Sequence, residues 1–498
     1  MIIPDFDTFQ QLARAGAVIP VYRELLADME TPLGIYARFA DSPCSFLLES
    51  VEGGENLARY SFIGADPWMV FQSKDRNITI TTRNGGTEQF SVPDSPFEEL
   101  RRRMNAFTAV KLPGLPRFTG GAVGYISYDA VRFFEDIPQN NPDDLDLPEL
   151  YFVLTKSLIV FDHVQHKLLV VANACCDGRP VREVYDEARE TLARIENILM
   201  QPMPFRPIEP LNTAALTALD HKNPPSNFSP DEFAAVVERC KEYIRAGDII
   251  QVVPSQRFEF PTSASPLNLY RALRCVNPSP YMFLLNFNDM ALVGSSPEVM
   301  VRVEDRDIEL RPIAGTRRRG LAEEEDRALE AELLADDKER AEHVMLVDLG
   351  RNDVGRVSEF NSVHVPELMI IERYSHVMHI VSDVRGTLLP GKDVFDVLAA
   401  TFPAGTVSGA PKIRAMQIID EMEKCRRGPY AGTVCYLGYD SNLDSCITIR
   451  TIVMKNGTAY VQAGAGIVAD SKPELEYQET VNKARGMIKA IKLAEQIN

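Results

Sequence analysis

Apolar residues alternate with polar ones through Ile78–Thr82 and Gln89–Val92, with Arg83-Asn84-Gly85-Gly86 between them. A period of two marks a strand with one buried face, and Asn-Gly favours a tight hairpin turn. Tyr151–Phe161 and Lys167–Ala172, flanking Asp162–His166, predict a second hairpin. Pro96–Phe107 reads as a helix. Val181–Met200 spaces its apolar residues near the helical period with dense charge between them, which predicts a long amphipathic helix.

The pattern then breaks. Residues 201–230 carry Pro202, Pro204, Pro207, Pro210, Pro224, Pro225 and Pro230 with little periodicity, and proline blocks both helix and ladder. This segment reads as a linker between an N-terminal region, 1–200, and a second region, 231–498. Ser229-Pro230-Asp231-Glu232 opens a helix, with serine as cap, proline in the first turn and acids near the positive end of the dipole. The helix runs to about Ala246, where Gly247 is a natural stop.

Beyond it, strands are predicted at Asp248–Phe260, Tyr281–Phe287, Met290–Gly294, Val299–Glu304 and Asp307–Arg311. Helices are predicted at Ala322–Asp348, Asp393–Ala400 and Lys412–Glu423. Ile447–Met454 and Ala459–Ala463 form a hairpin about Lys455-Asn456-Gly457, and a last helix starts near Pro473. Many hairpins with interspersed helices argue for an α+β fold rather than a doubly wound parallel sheet.

Charge narrows the function. Lys and Arg total 53 against 71 Asp and Glu, a net charge of −18. Clustered positive charge is what draws a protein to nucleic acid or anionic membranes, so neither is expected as a partner. No run of some 18 apolar residues is present to span a bilayer. The N-terminus carries Asp5 and Asp7 where a signal peptide would be basic. Eight scattered cysteines without a CxxC pair suit reduced thiols in the cytoplasm.

Four constellations could carry chemistry. Glu339 and Glu342 lie three apart in the charged helix, and Glu476 and Glu479 repeat the spacing in the last one. Each pair shares a helix face, so two pairs could meet over one Mg²⁺, or both could be solvated faces. Phe402–Lys412 is a small-residue loop whose following helix start could face an anion, or it is a tight turn. Gln462–Ile467 alternates small residues after a strand but fails the dinucleotide-binding pattern. Arg311–Gly320 is a basic run that reads as a solvated loop or an anion site. His376 and His379 alternate with apolar residues, as on a strand, and read as structural histidines by default.

Taken together, Pro312-Ile313-Ala314-Gly315-Thr316, Asp348-Leu349-Gly350-Arg351-Asn352-Asp353, the Pro403–Pro411 loop and Gly464–Gly466 resemble the chorismate-utilising enzymes. The resemblance spans the chain and is densest from Ser229 to Ile491. It implies a sandwich of two packed antiparallel sheets with helices outside, both regions contributing strands to one core. It implies Mg²⁺ held directly by Glu342 and Glu479, and through water by Glu339 and Glu476. Chorismate would be held by Tyr430, Arg450, Lys483 and the backbone at Gly464, Ala465 and Gly466, with Thr406 touching the ring. Glu298 resembles the general acid that releases the C4 hydroxyl while ammonia adds at C2. His379 resembles the histidine linked to the loss of pyruvate that gives anthranilate.

Two positions separate branches of the family. Gln251 stands where water-using members carry a lysine base, and Ala314 where others carry a lysine nucleophile. Neither side chain can do that chemistry, so direct amination by ammonia is implied. A separate glutamine amidotransferase subunit would supply the ammonia, making a hetero-oligomer. Leu48, Glu49 and Ser50, with Pro280, Tyr281 and Met282, resemble the two halves of a tryptophan feedback site, and Arg59 and Ser61 are expected to line it. The alternatives are an enzyme that stops at the aminated intermediate, and a silent subunit that only binds chorismate or tryptophan.

Overall fold

The computed structural model describes residues 1–50, 59–83, 85–204, 224–374 and 377–497. Among them are two large sheets of 11 and 12 strands. The first runs from Ser255–Pro261 through Thr458–Gly464, Thr451–Lys455, Met290–Ser296 and Tyr281–Phe287 to Ser45–Glu49. It continues through Tyr60–Ala65, Ser157–Asp162, Lys167–Cys175 and Ala17–Leu26 to Thr108–Ala109. The second runs from Ile313–Arg318 through Val377–Thr387, Asp307–Leu310, Val299–Glu304 and Leu443–Ile447 to Thr433–Gly438. From there it passes through Gly121–Ile126, Leu150–Leu154, Met69–Lys74 and Asn77–Thr82 to Thr87–Ser91, and the twelfth strand, His364–Arg373, pairs with Val377–Thr387 off this path. The pairing within these sheets is antiparallel except between Ala17–Leu26 and Thr108–Ala109.

Both sheets are continuous across the two sequence regions. Met282 pairs with Glu49 in one, and Val434 with Tyr125 in the other. The facing sides alternate large apolar residues, as the pleat requires. Phe46, Phe62, Val160, Phe283 and Leu285 from the first sheet meet Val123, Tyr125, Tyr151, Val153 and Tyr436 from the second. The Tyr151 and Phe287 rings stack across the gap at 3.9 Å. Helices Val181–Leu199, Pro266–Val276 and Pro473–Ala494 pack on the sheets.

Local signals translate directly. Ser229 and Glu232 form a capping box on Pro230–Ala246, and Gly247 closes that helix in the left-handed region at φ 85°. Both Asn456 and Gly457 have positive φ, as a two-residue hairpin turn demands. The partner strands of the Asn84-Gly85 hairpin pair as expected, although Asn84 itself lies outside the described residues. So do His376, Pro207 and Pro210.

Several elements differ from the sequence expectation. Tyr151–Phe161 is not one strand: Leu150–Leu154 belongs to the second sheet and Ser157–Asp162 to the first. The crossing falls at the polar residues Thr155-Lys156-Ser157, and the apolar stretches on either side are alike because both sheets bury these strands on both faces. Pro254, which has no N–H to donate, separates Gln251–Val252 from Ser255–Pro261. Ile447 ends a strand of the second sheet, while Thr451–Lys455 lies in the first, and Arg450 between them has a φ of 51°. The charged helix is two, Glu323–Ala335 and Asp337–Gly355, divided at extended Asp336, whose carboxylate caps the second. The basic run Arg311–Gly320 is no loop: Ile313–Arg318 is a strand on Val377–Thr387.

Candidate active site

The helix Asp337–Gly355 carries Glu339 and Glu342, and Pro473–Ala494 carries Glu476, Glu479 and Lys483. The helix starts approach each other, with Lys338 Nζ 3.4 Å from an Asp470 carboxylate oxygen. Gln251 Nε2 donates to Glu342 Oε1 at 2.8 Å. A Cβ placed on Gly466 would lie 2.8 Å from that Gln251 nitrogen and 4.0 Å from Glu342 Oε1. The small residues Gly464–Gly466 therefore pass beside the carboxylates. That Gln251 holds a candidate metal ligand was missed in the sequence, where it argued only against a lysine base.

Lys483 Nζ stands 2.6 Å from Glu479 Oε1 and donates to the Gly464 carbonyl at 3.0 Å. Arg450 Nη1 donates to the Lys483 carbonyl at 2.7 Å. The hydroxyl of Tyr430 lies 2.8 Å from where a Gly464 Cβ would stand. Arg450, Tyr430, Lys483 and Gly464, separated in sequence, thus come together. Burial pushes the Tyr430 phenol up to about 12 and draws the Arg450 guanidinium below its usual range.

Glu298 is buried, and its Oε1 accepts from Thr406 Oγ1 at 2.9 Å. Burial pushes its carboxyl up to about 8, against the opposing pull of the Thr406 bond and the Lys483 charge. It holds a proton at neutral pH, as a general acid must. His379 Nδ1 lies 3.0 Å from the Gly315 carbonyl and 3.0 Å from Thr316 Oγ1. A carbonyl only accepts, so Nδ1 carries the hydrogen and Nε2 presents a lone pair. Burial and the charge of Arg450 hold the imidazole below its usual pKa, hence neutral.

The strand Ile313–Arg318 explains why the basic string matters. A Gly315 Cβ would stand 3.2 Å from Glu339 Oε2, and Arg317 Nη1 is 3.4 Å from Glu339 Oε1. The Pro403–Pro411 loop is held from below by Lys412, whose Nζ is 2.6 Å from buried Asp353. Both residues belong to strings noted in the sequence, but their pairing was not legible there.

The chemistry of the carboxylates fits a hard cation. Burial and Glu342 raise the pKa of Glu339, and burial and Glu479 raise that of Glu476. Each pair is a like-charge cluster that a cation would relieve. Among the described residues no group of three His, Cys, Asp or Glu is gathered to hold a metal ion. The feature that fits Mg²⁺ is the like charge of each pair, since a hard cation prefers carboxylate oxygens.

A separate pocket, partly open to solvent, lies between the sheets. Leu48, Glu49, Ser50, Pro280, Tyr281 and Met282 all line it. Arg59 does not: its guanidinium is 3.0 Å from Asp162 and lies over the Tyr60 ring, which does line the cavity. Ser61 also turns elsewhere, its Oγ 2.8 Å from His163 Nε2. The cations of the cavity are instead Arg117 and Arg302, which the sequence gave no reason to single out. Tyr281 Oη accepts from Arg302 Nη2 at 3.0 Å and donates to Asp444 Oδ1 at 3.0 Å.

Fold and site together define a chorismate-binding enzyme, and the chain belongs to the chorismate binding enzyme family, matching it over residues 45–489. Within that family its full-length likeness is to anthranilate synthase component 1. It is 50% identical to that protein of Acetivibrio thermocellus, covering 100% of both chains. It is 50% identical to the one from Pseudomonas aeruginosa, over 98% of this chain and 99% of that one. The crystal structure of anthranilate synthase component I from Streptococcus pneumoniae matches with a TM-score of 0.76 at 38% identity, over 88% of this chain and 95% of that one. The menaquinone-specific isochorismate synthase of Escherichia coli shares the fold, with a TM-score of 0.69 at 18% identity over 97% of this chain and 98% of that one. Among the described residues no helix is long and apolar enough to cross a membrane.

Proposed function

We propose that this chain carries out the synthase half of anthranilate formation. Ammonia adds at C2 of chorismate while the C4 hydroxyl leaves as water. The aminated intermediate then loses its enolpyruvyl group as pyruvate and a ring proton, giving anthranilate. The observation that carries this reading is Glu298, a buried carboxyl raised to about 8 and oriented by Thr406. It delivers the proton to the departing hydroxyl. Neutral His379, with its Nε2 lone pair available, suits the ring-proton step.

Arg450 and Tyr430 hold the enolpyruvyl carboxylate, Arg450 through its planar fork. Gly464, Ala465, Gly466 and Lys483 face the substrate. Glu342 and Glu479 would hold Mg²⁺ directly, and Glu339 and Glu476 through water. When bound, the ion supplies positive charge for the ring carboxylate, so that a dianion can enter an acidic protein. A glutamine amidotransferase subunit supplies the ammonia. Tryptophan binds in the cavity of Leu48–Ser50 and Pro280–Met282 and inhibits by favouring a conformation with lower chorismate affinity; chorismate reciprocally weakens tryptophan binding. We place residues 1–200 and 231–498 as two sequence regions of one folded unit rather than as independent domains.

The test uses the purified chain with chorismate, Mg²⁺ and ammonium salt at alkaline pH. Fluorescent anthranilate and equimolar pyruvate, suppressed by tryptophan, are the expected result. An aminated product that keeps its enolpyruvyl group would remove the second stage. Chorismate binding without turnover, even with an amidotransferase partner added, would leave only a binding subunit.

A further inference from the structure

One buried ion pair, given no role above, touches segments that supply groups to the site. Arg427 and Glu423 are 2% and 7% exposed, and Arg427 Nη2 lies 2.6 Å from Glu423 Oε1. The same guanidinium donates from Nη1 to the Val407 carbonyl at 2.8 Å and from Nη2 to the Val253 carbonyl at 2.6 Å. Val407 follows Thr406, the donor to Glu298, and Val253 lies two residues beyond Gln251, the donor to Glu342.

Glu423 extends the reach of the pair. Its Oε1 accepts from Ser255 N at 2.8 Å and from Ser255 Oγ at 2.7 Å. Ser255 is in register with Gly464, whose carbonyl receives Lys483. The Arg427 Cζ also lies 5.5 Å from the centre of the Tyr430 ring, three residues along the chain. Withdrawing two charges from water is costly, and well-packed apolar side chains of similar volume are often no less stable. Stability alone therefore gives no reason for this pair. A guanidinium offers what a packed apolar group or a lysine cannot: several donors in fixed directions on one plane.

We propose that Arg427, oriented by Glu423, is a positioning residue of this reaction. Its fork sets the separation of the Thr406 loop, the Gln251 strand and the Tyr430 turn, so that Glu298, Glu342 and Tyr430 address one substrate. The inference rests on the reading of the site given above.

The experiment compares the wild type with Arg427→Lys, which keeps the charge and loses the fork, and with Ser255→Ala, which removes one anchor of Glu423. Each is assayed for ammonia-dependent anthranilate formation, thermal unfolding and tryptophan binding. Misplacing these groups by a fraction of an ångström predicts a kcat about tenfold lower or worse in Arg427→Lys, with a smaller rise in KM for chorismate as Tyr430 and Glu342 shift. Ser255→Ala should fall about threefold by the same reasoning. Both should unfold cooperatively and bind tryptophan as the wild type does.

A pH profile separates this from a merely structural role. The Thr406 bond opposes the upward shift of Glu298, and Lys483 is the other group opposing it. A slackened Thr406 loop therefore moves the alkaline limb of kcat/KM to higher pH. Arg427→Lys with wild-type kcat and an unmoved limb overturns the proposal. Should Arg427→Lys fail to fold, Ser255→Ala decides: its wild-type kcat and profile would overturn it equally. A wild type that makes no anthranilate refutes the functional reading instead, and so is a distinguishable result.

Discussion

Thr406 Oγ1 donates to Glu298 Oε1 across 2.9 Å, joining a small-residue loop to the end of a sheet strand 108 positions earlier. The carboxyl stays protonated near neutral pH because burial outweighs that bond. Glu298→Gln keeps the shape and removes the transferable proton. The expected loss in kcat is about 10²- to 10⁴-fold, the usual worth of general acid catalysis. Equilibrium binding of chorismate should change little; rapid-quench product analysis would read the loss in kcat and titration calorimetry the binding.

Stability provides a second reading of the same group. Its folded pKa of about 8 lies above the ordinary 4.5, so folding favours the protonated form. That contribution is complete below the ordinary value and is lost as pH rises through the folded one. Glu298→Gln should therefore gain in melting temperature relative to wild type as pH is raised through this window. Calorimetry at a series of pH values checks it, and a constant difference would contradict the buried, protonated carboxyl.

Gly409 has a φ of 135°, and a Cβ there would stand 2.2 Å from the Gln251 carbonyl. Gly409→Ala must push the Gln251–Val252 strand away, since that oxygen is backbone and cannot rotate aside. Gln251 would then lose its hold on Glu342. The expected outcome is a higher Mg²⁺ requirement in the ammonia-dependent assay, together with lower thermal stability. An unchanged Mg²⁺ titration would show that Gln251 does not govern Glu342.

Lys412 and Asp353 lie 2.6 Å apart beneath the Pro403–Pro411 loop, with side chains 12% and 7% exposed. Lys412→Met strands a buried carboxylate, and breaking such a pair costs on the order of 3 kcal/mol. Urea denaturation should show that loss. Lys412→Met with Asp353→Leu should recover most of it, because the second substitution removes the orphaned charge.

Tyr281 bridges Arg302 and Asp444 in the cavity between the sheets. Tyr281→Phe keeps the ring and removes both bonds. If tryptophan reads this polar network, its half-inhibitory concentration should rise about five- to tenfold, the worth of roughly one hydrogen bond. Each protein serves as its own reference, with inhibition measured relative to its activity without tryptophan. An unaltered inhibition curve would place tryptophan elsewhere.

Much of the secondary structure was legible because its causes are local. The capping box of Ser229 and Glu232, the stop at Gly247 and the turn at Asn456-Gly457 act within a few residues. Where local pattern misled, a long-range choice had intervened. The polar Thr155-Lys156-Ser157 marks a break within Tyr151–Phe161 but not the change of sheet, since either sheet would bury the apolar stretches beside it. The arginines of Arg311–Gly320 looked solvated, yet Arg317 and Arg319 are taken up by Asp336 and Asp326.

The sequence alone determined which side chains were available: four glutamates at matched helical spacing, a histidine on a strand, small residues where backbone must come close. Only the tertiary structure decided what they do. It raised Glu298 by burying it, chose the His379 tautomer through Gly315, excluded Arg59 from the cavity in favour of Arg117 and Arg302, and gathered three segments on Arg427. The reason is physical. Helix caps and turns are settled by neighbours within a few residues. Dielectric surroundings and hydrogen-bond partners are settled by chain segments 20 to 174 positions apart, brought together when the two sheets bury their faces.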